Sequence, residues 1–382
     1  MCGWLRMKPL FWFSVIVVLY VYLGYPLLTA AWARTAKRAT RTRGFPDGCW
    51  PSISIIVAAR NEARRLPARV ANLLAQEYPG EREIIVVSDG SSDAPAAALA
   101  SFRRYVRLIE LPAGGKPRAL NAGVLAARGD ILIFADARQL FAANALVELV
   151  ANLADPSVGG VTGQLMLDSE FDSAPTDSTV GDGVGLYWRY EKWIRRNESR
   201  LRSTLGATGA IYALRRSLWR PLPADTLLDD VLAPMRAVLA GYRVIFEERA
   251  IAFDCASKDA ASEARRKTRT LAGNYQILGL EPRLLVPFVN PVWVQYVSHK
   301  VGRLIVPWVL IALLGASVSL APAGYVYMAA LVLQLGFYGL AAAGGWLSVG
   351  EKPARLALTF VMMNYSAIAG LAALRRGREV WR

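Results

Sequence analysis

The spacing of apolar and polar residues divides the chain into a segment built for lipid, a segment built for an open sheet, and a second lipid-suited segment. Residues 9–33 (PLFWFSVIVVLYVYLGYPLLTAAWA) carry no charge, and as a helix they span about 30 Å of hydrocarbon. From residue 51 the apolar runs shorten, and each is followed by a Gly-rich or polar turn and an amphipathic stretch. Residues 52–59 read as a buried strand, with Arg60, Asn61 and Glu62 opening the next helix. Residues 83–88 form the next strand with Asp89 at its carboxyl end, and the run DILIFADA ends at Asp136. Such units predict an α/β fold whose strand ends gather at one edge of a parallel sheet, where open sheets bind ligands.

Beyond residue 300 the lipid-suited pattern returns. Residues 303–321 and 324–346 read as two spans joined by a short Ala-Pro turn, and a third apolar stretch runs from 356 to 374. The stretch 284–298 is broken by Pro287 and Pro291, while Trp293 and Tyr296 suit the headgroup level. The resulting organisation is an N-terminal transmembrane anchor (1–33), a basic linker (34–50), an α/β domain (51–255), amphipathic or interfacial helices (256–298), and a C-terminal transmembrane region with a basic tail (299–382).

Composition agrees. A 382-residue chain that is 54% hydrophobic is too apolar for an ordinary soluble protein. The first span lacks a small-residue cleavage site, which favours an uncleaved anchor over a signal peptide. Arg34, Lys37, Arg38, Arg41 and Arg43 follow it and outnumber Arg6 and Lys8, which places the domain on the cytoplasmic side of the inner membrane. Three full crossings after residue 300 would put Arg375, Arg376, Arg378 and Arg382 outside. Asn364, Tyr365 and Ser366 sit mid-segment, so the last helix is expected to be re-entrant or interfacial. The net charge of +15 gathers beside these segments and in 195–220 and 265–269, without a nucleic-acid motif, so membrane lipid and an anionic substrate account for it and no nucleic acid is expected. Cys2, Cys49 and Cys255 have neither metal-ligand spacing nor an even count.

Several polar positions carry chemistry, each beside a plainer explanation. Asp93, in DGSSD, is accounted for by a turn and helix cap. Lys116 opens a helix, where the dipole disfavours a cation unless an anion such as a diphosphate is near; the alternative is a solvated surface lysine. Asp136 directly follows an apolar run, and a divalent cation would partner its charge. Asp229 and Asp230 begin a helix, where acids also complement the dipole. Trp188 and Trp193, in GLYWRYEKWIRR, either pack on the core or form a platform for sugar rings. Gly206 and Gly209 permit a close backbone approach that suits an acceptor site. Arg265, Arg266, Lys267 and Arg269 read as lipid-headgroup contacts or as ligands of a diphosphate.

Five stretches, SIIVAARNEA, VVSDGSSD, GKPRALN, ATGAIYALRRSLW and LLDDVLAPMRAVLAGYRV, together resemble the membrane-anchored inverting family 2 glycosyltransferases of GT-A fold, related to exopolysaccharide and poly-N-acetylglucosamine synthases. The resemblance implies a Rossmann-like nucleotide-sugar domain flanked by transmembrane helices. It implies a UDP-hexose or UDP-N-acetylhexosamine donor, a lipid-linked or growing polysaccharide acceptor, Mg2+ or Mn2+, and an export or polymer-assembly partner. Residue by residue, it assigns Asn61, Glu62, Asp89, Lys116, Asn121, Asp136, Arg138, Arg266 and Arg269 to the donor, with Asp136 on the metal. Asp230, beside Asp229, becomes the general base. Two positions depart from the family pattern: Arg138 replaces the second carboxylate of DxD, and residues 266–270 read RKTRT where processive synthases carry QxxRW. Two other readings stay open, a processive synthase working with a partner and an inactive sugar-nucleotide-binding subunit.

Overall fold

The computed structural model describes residues 2–36, 44–45, 48–167, 181–254, 260–344 and 351–376. Cys255, Arg378 and Arg382 lie outside them. The strands are β1 (Ile53–Ala59), β2 (Arg82–Asp89), β3 (Val106–Leu111), β4 (Ile131–Asp136), β5 (Leu140–Phe141), β6 (Val158–Leu167), β7 (Ile211–Arg215) and β8 (Arg243–Asp254). They form one sheet in the order β3-β2-β1-β4-β7-β6-β8-β5. The half β3-β2-β1-β4 is parallel, as expected, but β7 runs antiparallel to both β4 and β6. The sheet is therefore mixed, with its parallel half forming the Rossmann-like part.

The central strands are apolar at consecutive positions because both faces of the sheet are covered. Alternation sends Ile53, Ile55 and Val57 of β1, with Ile131, Ile133 and Ala135 of β4, into one layer. Ile56 of β1, with Leu132 and Phe134 of β4, enters the other, under the helices Lys116–Ala126 and Asp229–Leu239. Asp136 continues the Phe134 face by two residues, so strand parity points it beneath the same two helices.

Among the described residues, four helices are long and apolar enough to cross a membrane: Met7–Thr35, Trp293–Ala323, Tyr325–Ala343 and Pro353–Arg375. The second begins about ten residues earlier than the sequence pattern placed it. The chain turns at 282–292, a stretch that contains the expected breaks at Pro287 and Pro291, and is helical from Trp293 onward. Tyr296 packs within the protein, 2% exposed, in the cluster that holds Val231 and Leu232. The loop before it shows Phe288 fully exposed at φ 69°.

The last helix, Glu351–Arg375, is unbroken, so a re-entrant turn is not the form it takes. Its start meets Gly344, at the end of the third span, through Ala354. Its later part meets Leu304, at the start of the second span, through Ala367. Gly370 rests on Ala272 of the helix Ala260–Leu280. The second and third spans form a hairpin closed at 321–323, so both contacts fall at its open end, and the last helix runs across that end.

The helix Gly181–Leu201 joins the domain to the spans. Tyr25 donates to Glu198 Oε1 at 2.5 Å, and His299 Nδ1 lies 2.8 Å from the same oxygen. His299 Nε2 faces Glu191 Oε2 at 3.4 Å, Arg303 pairs with Glu191, and Tyr190 donates to the Tyr22 carbonyl at 2.7 Å. The lone histidine is thus part of this seam, where both of its ring nitrogens face carboxylates.

Candidate active site

Two aspartate-bearing segments, one ending at Asp136 and one opening at Asp229, converge on Lys116. Its Nζ lies 3.0 Å from Asp136 Oδ1 and 3.5 Å from Asp229 Oδ2. Burial works against the ammonium, but Asp136, Asp229 and Asp230 outweigh it and raise the Lys116 pKa. The cation at a helix start, anomalous by sequence, therefore already has anions within the protein, and its placement no longer requires a diphosphate to explain it.

Asp230 occupies the first turn of the helix Asp229–Leu239, held from the side by the turn 206–209. Gly209 N–H donates to Asp230 Oδ2 at 3.0 Å, and Ala207 N–H to the Asp230 carbonyl at 2.6 Å. A β-carbon on Gly209 would fall 3.0 Å from Oδ2, and Gly206 holds φ at +133° against Val231. Both glycines thus approach the helix start that carries Asp230. Burial and the adjacent Asp229 push the Asp230 carboxyl up to about 6, while Lys116 and Lys300 pull the other way. A carboxylate poised there accepts a proton from a hydroxyl near neutral pH far better than an ordinary aspartate.

The remaining expected donor residues of the domain are each engaged within the protein. Asp89 is 4% exposed and accepts from Gly114 N–H at 2.6 Å and from Gly115 N–H at 2.9 and 3.1 Å, so it shapes the turn that leads into Lys116. Asn61, at φ 54°, accepts from Ser92 N–H at 2.9 Å and joins the turns after β1 and β2, and Glu62 pairs with Arg65 at 2.5 Å. Asp93 contributes to the same junction by accepting from Ala63 N–H at 2.7 Å; it does not cap the helix that follows it, whose cap residue is Ala94. Asn121 spends its whole amide on Leu222, donating to the carbonyl at 2.8 Å and accepting from the N–H at 2.9 Å. Arg138 pairs with Asp254, the last residue of β8, which Gln139 Nε2 also reaches at 2.9 Å.

The aromatic and basic candidates are more dispersed. Trp188 and Trp193 are five residues apart, about 140° around a helix, so they do not share a face. Arg266 and Arg269 are exposed on the helix Ala260–Leu280, and Lys267 between them lies 5.3 Å from the Tyr187 ring and 5.4 Å from that of Trp188.

Sequence reasoning missed two groups. Asp254 ends a strand with a carboxylate, the signal that singled out Asp89 and Asp136, and the same test would have found it. Tyr212 gave no such signal. It is 1% exposed, stacks on Phe134 at 4.5 Å, and its hydroxyl has no hydrogen-bond partner among the described residues. Burial, then Asp229, Asp230 and Asp136, push its pKa far up, so it stays a neutral phenol.

Among the described residues no three His, Cys, Asp or Glu side chains cluster as a closed metal site. Asp136 nevertheless fits a hard divalent cation of the magnesium type. Its side chain is 36% exposed, and its hydrogen bond to Lys116 engages Oδ1, which leaves Oδ2 for a ligand. Such a cation takes one carboxylate and completes its shell with phosphate and water oxygens.

Residues 54–220 match the family model described as Glycosyl transferase family 2. An N-acetylglucosaminyltransferase of Rhizobium leguminosarum bv. trifolii is 32% identical over 148 residues, which cover 37% of this chain and 81% of that protein. Another of that description, from Sinorhizobium fredii, is 25% identical over 303 residues, 74% of this chain and 71% of the relative. A poly-beta-1,6-N-acetyl-D-glucosamine synthase of Staphylococcus epidermidis is 23% identical over 233 residues; this chain spans 55% of its length. Among solved structures, a mannosyltransferase of Pyrobaculum calidifontis in complex with GDP-Man and Mn2+ superposes with a TM-score of 0.70 at 23% identity, over 97% of this chain and all of that one.

Proposed function

Since the chain belongs to glycosyltransferase family 2 and has the GT-A fold, we propose that it transfers an N-acetylhexosamine or hexose from a UDP-sugar, with inversion, to a sugar hydroxyl of a lipid-linked or growing polysaccharide at a membrane. N-acetylglucosamine is the favoured sugar, since the three curated relatives compared above are named for it. The observation that carries the reading is Asp230, a half-buried carboxyl raised to about 6 and fixed by Gly209 beside the Lys116–Asp136 pair.

In this mechanism the acceptor hydroxyl gives its proton to Asp230 as its oxygen attacks the anomeric carbon. The bond from that carbon to the diphosphate breaks on the opposite face, UDP leaves, and a single displacement inverts the configuration. Asp229 keeps the Asp230 pKa up, and Lys116 restrains that rise while lying where charge develops on the leaving group. Mg2+ or Mn2+ on Asp136 would supply further positive charge to the diphosphate. Asp89 and Asn61 act on the donor through the turns they hold. The test is mass spectrometry of products formed by the purified full chain with a panel of UDP-sugars, with NMR of the new anomeric linkage. Retention of configuration, or no transfer from any UDP-sugar, overturns the reading.

A further inference from the structure

On the helix Gly181–Leu201, Glu191, Arg195 and Glu198 are spaced i, i+4 and i+7 and line one face. The two glutamates are gripped by the spanning segments through Arg303, His299 and Tyr25. Arg195, between them, donates from Nη1 to Thr208 Oγ1 at 2.6 Å, and its guanidinium lies 5.8 Å from the Phe246 ring. Thr208 is fixed on its other side, its N–H donating to Thr162 Oγ1 at 2.8 Å. The next residue, Gly209, holds Asp230 Oδ2 at 3.0 Å, and the preceding one, Ala207, holds the Asp230 carbonyl at 2.6 Å. Polar contacts joined by one helix face and one tight turn therefore link the spanning helices to the carboxylate.

We infer that Arg195 is a positioning residue: through Thr208 it locks the turn 206–209 and transmits the restraint of the membrane helices to Asp230. The inference rests on Asp230 being the base. An arginine suits the task because its planar fork fixes direction as well as charge, which a lysine in its place reproduces only in part. Loosening the turn leaves the donor pocket around Lys116 and Asp136 intact but lets the Asp230 carboxylate leave the attack line, and small misplacements of a catalytic group are costly.

The experiment is a double-mutant cycle on the purified full chain in lipid nanodiscs, with UDP-N-acetylglucosamine as donor. Arg195→Met should lower kcat by about tenfold or more with donor KM and UDP affinity nearly unchanged, and Arg195→Lys should recover part of the loss. Thr208→Val, a milder change that keeps the strand residues in place, should show the same split. In the Asp230→Asn background Arg195→Met should cost almost nothing further, because the two act as a unit. An undiminished second loss there, or a raised acceptor KM with unchanged kcat, overturns the positioning role and makes Arg195 an acceptor contact. Near-normal turnover of Asp230→Asn by itself overturns the assignment of the base instead.

Discussion

Lys116 Nζ and Asp136 Oδ1 meet at 3.0 Å, a cation from the start of one helix and an anion from the end of β4. The ammonium offsets a group of three carboxylates, and its loss is felt at a distance by Asp230, whose pKa it lowers. In Lys116→Met the Asp230 pKa should rise, so the acid limb of the pH–rate profile moves to higher pH. UDP affinity should fall about tenfold or more as the phosphate-facing cation goes. Pre-steady-state pH profiles with titrated UDP binding check both; an unmoved acid limb refutes the coupling.

Asp230→Asn should lower turnover by about a hundredfold or more with UDP affinity nearly unchanged, since the base acts in the transition state. In the wild type, kcat/KM should decline as pH falls through about 6, where the base takes up its proton. The same group bears on stability with the opposite sense. A carboxyl whose folded pKa is raised opposes folding once the pH passes above its unfolded value, so the neutral amide should raise Tm at pH 7 and lose that advantage in acid. Thermal unfolding of both proteins across pH 4–8 measures it.

With Arg138 on Asp254 and no second carboxylate in DxD, the metal relies on Asp136 and the donor's phosphates. Activity should be lost in EDTA and return with magnesium or manganese, and the cation should bind far better as a complex with UDP than alone. Arg138→Asp places a new carboxylate next to Asp254 and should lower the metal concentration for half-activation. Full activity in EDTA would rule out a metal role.

The last helix crosses the open end of the hairpin formed by the second and third spans, and a reporter fused after Arg382 should read on the same side as the catalytic domain. Accessibility labelling of a cysteine at that terminus in sealed vesicles gives an independent reading. Labelling only from the opposite side would establish a full crossing.

The aspartates were legible because alternation along a strand and the position of its end are local properties. Asp136 follows Phe134 on one face of β4 whatever lies elsewhere, and Asp230 opens a helix in any fold. What the aspartates touch was not local. Nothing near residue 116 announced that Lys116 would meet Asp229, over a hundred residues away, or that Asn121 would clasp Leu222. The same holds for the glycines: their freedom was visible in the sequence, but not that the group they approach is Asp230. Antiparallel β7 escaped notice because strand direction is set by a connection, and the run IYALR is apolar in either direction.

The seam at Glu191 and Glu198 also bears on how freely such a domain exchanges its anchor. A replacement set of helices would have to bring a guanidinium, an imidazole and a phenol to the same heights as Arg303, His299 and Tyr25, or leave two carboxylates buried without donors. Anchor and domain are therefore matched parts. The boundary drawn from hydropathy at residue 255 marks where the composition changes, while the cooperative unit extends past it into the helices.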